Sequence, residues 1–143
     1  MMIFDTTLEN KDNEALITDI VGHRFSFFES IKMKGVGSKR MMIESVSPSL
    51  DNLMNKVSDI NYANIELRKN GIIVHINQGL KTYSWVIPFH QLHTYQSDGF
   101  SIHANGRYVR FVNNKLLREN KMFLSKMMNL KAKSQEQFNF QLN

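Results

Sequence analysis

The sequence predicts an α+β domain: an antiparallel meander closed by an amphipathic helix. Residues 62–112 alternate apolar and polar side chains with a period of two, interrupted by Asn-Gly and Asp-Gly pairs. Residues 115–131 change to a helical period with a wide apolar face. A chain of 143 residues, 42% hydrophobic and 22% charged, has the size and apolar content of one core. The expected unit is a single domain over 1–143, with a loose N-terminus at 1–8 and a docking tail at 135–143.

Residues 12–21 read as a short helix, with Asp12 as N-cap, Leu16, Ile17 and Ile20 on its apolar side, and Gly22 closing it. Over 23–46, Phe25 and Phe27 alternate with Arg24 and Ser26, Gly35-Val36-Gly37-Ser38 forms a turn, and Met41 to Val46 is strand-like, which fits a hairpin. Ser47-Pro48 then opens a helix over 48–60, since serine favours the N-cap and proline the first helical position. Leu50, Leu53, Met54 and Val57 form its stripe.

The first Asn-Gly pair sets a hairpin register. With Asn70-Gly71 as a type I′ loop, Leu67 faces Val74, Ile65 faces Ile76, and Glu66 lies opposite His75 on the outer face. Asn105-Gly106 likewise sets Ile102 against Val109, Phe100 against Phe111, His103 against Tyr108 and Ser101 against Arg110. Between them, Tyr83, Trp85 and Ile87 alternate with Thr82, Ser84 and Val86, and Pro88 ends that strand or places it at an edge. The strand at Leu92 to Gln96 has two open registers. A two-residue loop puts His93 and Tyr95 in the core; a three-residue loop with a left-handed Gly99 puts both outside, with His93 opposite His103. The final helix carries Leu116, Leu117, Phe123, Leu124, Met127, Met128 and Leu130 on its apolar face, Met122 off it, and Asn113 or Asn114 as cap.

The stretch Tyr83-Ser84-Trp85-Val86-Ile87-Pro88-Phe89-His90-Gln91-Leu92, followed by strands and a terminal helix, resembles the later half of bacterial pleckstrin-homology-like or GRAM-like modules. The resemblance spans about residues 80–131 and implies a PH-like meander with a capping helix. Through Asn61-Tyr62-Ala63-Asn64-Ile65-Glu66-Leu67-Arg68 and Ser101-Ile102-His103, the chain also resembles an uncharacterised family of small flavobacterial-type proteins, which brings no activity with it.

Charge is unevenly distributed. Residues 1–61 hold 7 Lys/Arg against 9 Asp/Glu, whereas 62–143 hold 11 against 4. Within 105–133, eight basic residues face one acid, Glu119. Such a segment can attract an anionic partner, while the commoner meaning of such a run is the solvated face of a terminal helix. The absence of cysteine excludes thiolate metal sites, disulfides and cysteine nucleophiles. No apolar run reaches the roughly 18 residues of a membrane span, and the first dozen residues lack a secretory pattern; a cytoplasmic protein is expected.

Catalytic signals are thin. His90-x-x-His93 has a two-ligand spacing but no carboxylate beside it, so no metal or other cofactor is expected. Ser84 or Ser101 can lie near a histidine, yet no Gly-x-Ser-x-Gly elbow is present. Gly35-Val36-Gly37-Ser38-Lys39 lacks the spacing of a phosphate-binding loop. The expected function is a non-enzymatic binding or scaffold module, with a second copy or another protein as partner. Phe138, Phe140 and Leu142 alternate with polar residues as a strand that docks on its own sheet or across a homodimer. The alternative is an anion-binding module for phospholipid headgroups or nucleic acid through segment 105–133, with Arg107, Tyr108, Arg110, Lys115 and Arg118 as contact residues.

Overall fold

The computed structural model describes residues 2–55 and 60–142, the last five by backbone alone. Eight strands form one antiparallel sheet: β1 (Ile3–Asp5), β2 (Met41–Val46), β3 (Tyr62–Arg68), β4 (Gly71–Gln78), β5 (Lys81–Pro88), β6 (His93–Tyr95), β7 (Phe100–Ala104) and β8 (Arg107–Phe111). Their order is β1-β5-β4-β3-β2-β8-β7-β6. The helices are α1 (Lys11–Val21), α2 (Phe27–Lys32), α3 (Lys115–Glu119) and α4 (Lys121–Leu142), with 3-10 turns at Pro48–Leu53 and Phe89–Gln91. The α+β class and the meander are as the sequence predicts.

The main core lies on one face of the sheet. Ile65 and Leu67 of β3, Ile72, Val74 and Ile76 of β4, and Trp85 and Ile87 of β5 are buried there with Phe100, Ile102, Val109 and Phe111. Phe123, Leu124 and Met127 of α4 belong to the same cluster, while Met122 is 79% exposed. On the opposite face, Ile17 and Val21 of α1 pack with Ile73 and Val86 in a second cluster. β4 and β5 are therefore covered on both sides. β2 joins the two halves of the sheet, pairing through Met41 and Met42 with β3 and through Ile43, Ser45 and Val46 with β8. An irregularity between Ile43 and Ser45 lets one strand serve both partners.

The second hairpin has the predicted register throughout, and Asn105 and Gly106 take the positive φ (51° and 77°) that a type I′ turn requires. Between β6 and β7 the three-residue alternative holds: His93 pairs with His103 and Tyr95 with Ser101.

The first hairpin differs from expectation. Arg68 pairs with Gly71, so the loop is Lys69-Asn70, Leu67 faces Ile72, and His75 faces Asn64. Neither Asn70 nor Gly71 has a positive φ. Gly71 is required instead by a close approach: a Cβ there would sit 2.4 Å from the Ile87 carbonyl oxygen and 2.6 Å from Val21 Cγ1. The shift moves β4 by two residues, so the apolar face is preserved.

Four helical and terminal expectations also change. α1 is capped by Asn10, whose side chain accepts from the Asp12 and Asn13 amides. The hairpin over 23–46 keeps its strand at Met41–Val46, but Phe27 begins α2, because Ser26 and Glu29 cap that helix reciprocally. In place of the helix expected over 48–60, the described residues form a 3-10 turn at Pro48–Leu53: Ser47 makes no side-chain cap, its Oγ instead accepting from the Tyr108 amide at 3.1 Å. Val57 lies outside the described residues. The helix over 115–131 is broken at buried Asn120, whose Oδ1 accepts from the Lys39 amide and whose Nδ2 donates to the Leu116 carbonyl, each at 2.9 Å.

The ends differ too. Ile3–Asp5, read as loose, pairs with β5. The tail, read as a strand, continues α4 to Leu142. Residues 131–137 contain good helix formers and no glycine or proline, and propagating an existing helix is easier than nucleating another element.

Candidate functional site

The five residues singled out for anion binding are distributed rather than clustered. Arg110 pairs with Glu44 and donates through Nη2 to the carbonyls of Ser97 (2.6 Å) and Asp98 (2.8 Å), tying down the β6–β7 loop. Tyr108 stacks on His103 with centroids 5.5 Å apart, and Tyr95 meets the same imidazole edge-on at 4.8 Å. Burial, and then the neighbouring His93, lower the pKa of His103. The Arg107 Nε is buried without a hydrogen-bond partner. Lys115 and Arg118 lie exposed on α3. Among the described residues, no hydrogen bond, ion pair or ring contact joins any two of the five. No group of three or more His, Asp or Glu among them is placed to hold a metal ion.

The basic segment contributes instead to a groove of about 770 Å³ between the loop after α2 and helix α4. Lys34 and Lys39 line one wall, Lys121, Lys126 and Lys133 the other, and Glu119 is the acid among the lining residues. Met33, Phe123 and Leu130 supply apolar lining. Lys126 bridges the walls: its Nζ donates to the carbonyls of Met33 (2.8 Å) and Gly35 (2.6 Å). Burial, followed by the charge of Lys34, lowers the pKa of Lys126. The sequence contained half of this feature, the helix; Lys34 and Lys39 lie some ninety residues away and are brought opposite it only by the fold.

A second cleft, of about 340 Å³, lies between α1, the segment after β1 and the polar patch on β3–β5. A continuous polar chain crosses it. Thr6 and Ser84 share a hydrogen bond at 2.6 Å, Ser84 meets His75 Nδ1 at 2.8 Å, and His75 Nε2 donates to Glu66 at 3.0 Å. Glu66 also pairs with Arg68, which reaches Glu14 at 3.0 Å and the Gly22 carbonyl at 3.1 Å. Burial pushes the Glu66 carboxyl up, but hydrogen bonds from His75 and Arg68 and their charges outweigh it and bring its pKa down to about 2. The predicted Glu66–His75 pairing thus exists, on a diagonal rather than directly across the strands.

Serine, histidine and carboxylate in contact are the residue types of a nucleophilic relay. In this chain Ser84 is fully buried, and its Oγ meets Thr6 as well as His75. Among the described residues, no helix is long and apolar enough to cross a membrane. Compared with known proteins, the chain matches no family, no curated sequence and no solved structure.

Proposed function

We propose that the chain is a non-enzymatic binding module, PH-like in plan, whose basic groove takes an anionic, phosphate-bearing partner. The observation that carries this reading is the set of five lysines facing one another across the groove beside a single acid. Lys34, Lys39, Lys121 and Lys133 have no ion-pair partner among the described residues, so their charges are free to attract an anion.

Strand order supports the PH-like plan. β2–β5 form one meander and β6–β8 another, β2 pairs with β8, and a helix follows. The Ile87-Pro88-Phe89 step ends β5 and turns the chain toward β6. Where a mid-chain helix was expected, which that plan lacks, the described residues form a short 3-10 turn at Pro48–Leu53. The non-enzymatic reading is supported by the second cleft, where Ser84 is fully buried with Thr6 on its Oγ and Glu66 is paired with Arg68.

Retention on phosphocellulose tests the groove. The triple variant Lys39→Glu, Lys121→Glu, Lys133→Glu should elute at clearly lower salt than wild type. Lys81→Glu, Lys115→Glu, Arg118→Glu makes the same change in net charge outside the groove, apart from its rim, and should elute later than the groove variant. Binding should also weaken steeply with salt as counterions are released. Equal elution of the two variants refutes the groove as the anion site.

A further inference from the structure

We propose that helix α2 is a membrane wedge that seats the module on an anionic lipid surface, with the basic groove facing the headgroups. This rests on the anion-binding reading of the groove and names its partner.

α2 buries none of its six residues. Phe27, Phe28 and Ile31 are 74%, 81% and 60% exposed, so three large apolar side chains share one short, exposed helix. The helix is nevertheless well formed. Ser26 Oγ accepts from the Glu29 amide at 3.2 Å, and Glu29 accepts from the Ser26 amide at 3.0 Å. A reciprocal cap therefore maintains a helix whose apolar side chains the rest of the chain leaves uncovered. An exposed apolar cluster of this kind marks an interaction surface.

Charge complementarity selects the partner. α2 ends at Lys32 and runs directly into Met33 and Lys34, which line the groove. At 1.5 Å per residue, the whole helix lies within about 10 Å of that rim. The acid on α2, Glu29, is engaged by its own cap and lies 3.7 Å from Lys69 Nζ. Apolar side chains beside lysines match the two-part chemistry of an anionic bilayer: acyl chains below and negative headgroups above.

A single-stranded nucleic acid fits less well. It would need flat rings open for stacking, whereas Phe27 and Phe28 meet edge to face at 71°. Ile31 offers no ring at all. A bilayer accepts aromatic and aliphatic side chains alike.

The test is co-sedimentation of the full chain with phosphatidylcholine vesicles, neutral or containing roughly one-third phosphatidylserine. Wild type should pellet with the acidic vesicles and not with the neutral ones. Phe27→Ser with Phe28→Ser should weaken that binding by about tenfold or more, while leaving phosphocellulose retention and the circular dichroism spectrum unchanged. In Phe28→Trp, vesicles with brominated acyl chains should quench the new tryptophan. If the double serine variant binds acidic vesicles as wild type does, or if the tryptophan is not quenched, the wedge is refuted and the groove stands. Binding of an oligonucleotide with no binding of acidic vesicles also overturns the wedge and assigns the groove to nucleic acid. Loss of phosphocellulose retention by wild type itself would remove the anion reading and the wedge together.

Discussion

Replacing Glu66 by glutamine tests the polar chain quantitatively, because it removes the charge while nearly preserving shape. Glu66 is about three-quarters buried between a histidine and an arginine that is 1% exposed. Its pKa falls from 4.5 to about 2 in the folded protein. At ~1.4 kcal/mol for each tenfold change in proton affinity, that corresponds to about 3 kcal/mol of stability at neutral pH. The folded pKa is the lower one, so the contribution is complete above the unfolded value of 4.5 and is lost as pH falls toward 2. Urea denaturation of wild type and Glu66→Gln should therefore differ by about 3 kcal/mol at pH 7 and by only about 1 kcal/mol at pH 3. Other carboxylates titrate in both proteins and cancel in the difference. A difference that is absent at pH 7, or the same at both pH values, would refute the account of Glu66 as a charge held by its partners.

Three further outcomes follow from local geometry. Gly71→Ala should cost roughly 2–3 kcal/mol in urea denaturation, because the new Cβ meets two backbone atoms, the Ile87 carbonyl oxygen and Pro88 Cα at 2.8 Å, which cannot swing away. Lys34 adopts a φ of 62°; Lys34→Gly should relieve that strain and raise stability by up to ~1 kcal/mol, while lowering the salt at which the protein leaves phosphocellulose. Asn120→Ala should destabilise by about 2 kcal/mol, since it leaves the Lys39 amide and the Leu116 carbonyl without their partner. In the same variant, hydrogen exchange at the Lys39 amide should accelerate.

A turn signal and flanking alternation coincided at two Asn-Gly pairs, and they gave the right register at one of them. Asn105-Gly106 had both the positive-φ residue types and flanking alternation, and its register emerged complete. Asn70-Gly71 had the same local signal, but close contacts decided: the end of β5 and Val21 of α1 lie so near that glycine is needed within the strand. The doubly covered β4 and β5 left a trace in the runs Ile72-Ile73-Val74 and Trp85-Val86-Ile87, whose unbroken apolarity departs from simple alternation. Ser26 and Glu29 have the spacing of a capping box, a helix signal that the alternation of Phe25 and Phe27 obscured. Ser47 shows the converse, since a serine before a proline resembles a cap but is engaged by β8. Of the groove only the α4 wall was legible, as the basic segment, because the wall with Lys34 and Lys39 is brought opposite it by the fold.

Arg68 explains how the rest of the polar chain is organised. A guanidinium at 1% exposure needs partners around its fork, or its desolvation would unfold the region. The fold supplies them from three places: Glu66 on the same strand, Glu14 in the first turn of α1, and the Gly22 carbonyl just beyond the end of α1. Both ends of one helix thus converge on one side chain, while Ile17 and Val21 hold the middle of that helix against Ile73 and Val86. Thr6 extends the same network to the segment after β1 through Ser84. The N-terminal region is in consequence part of the scaffold, and the charges around Arg68 are matched by other charges or carbonyls. The groove beside α4 has the opposite character. Among the described residues four of its lysines lack ion-pair partners, and α2, with its exposed phenylalanines, leads directly into the groove wall at Met33 and Lys34. Unmatched like charge and uncovered apolar surface are each unfavourable in the isolated chain, and the proposed anionic, partly apolar surface would relieve both.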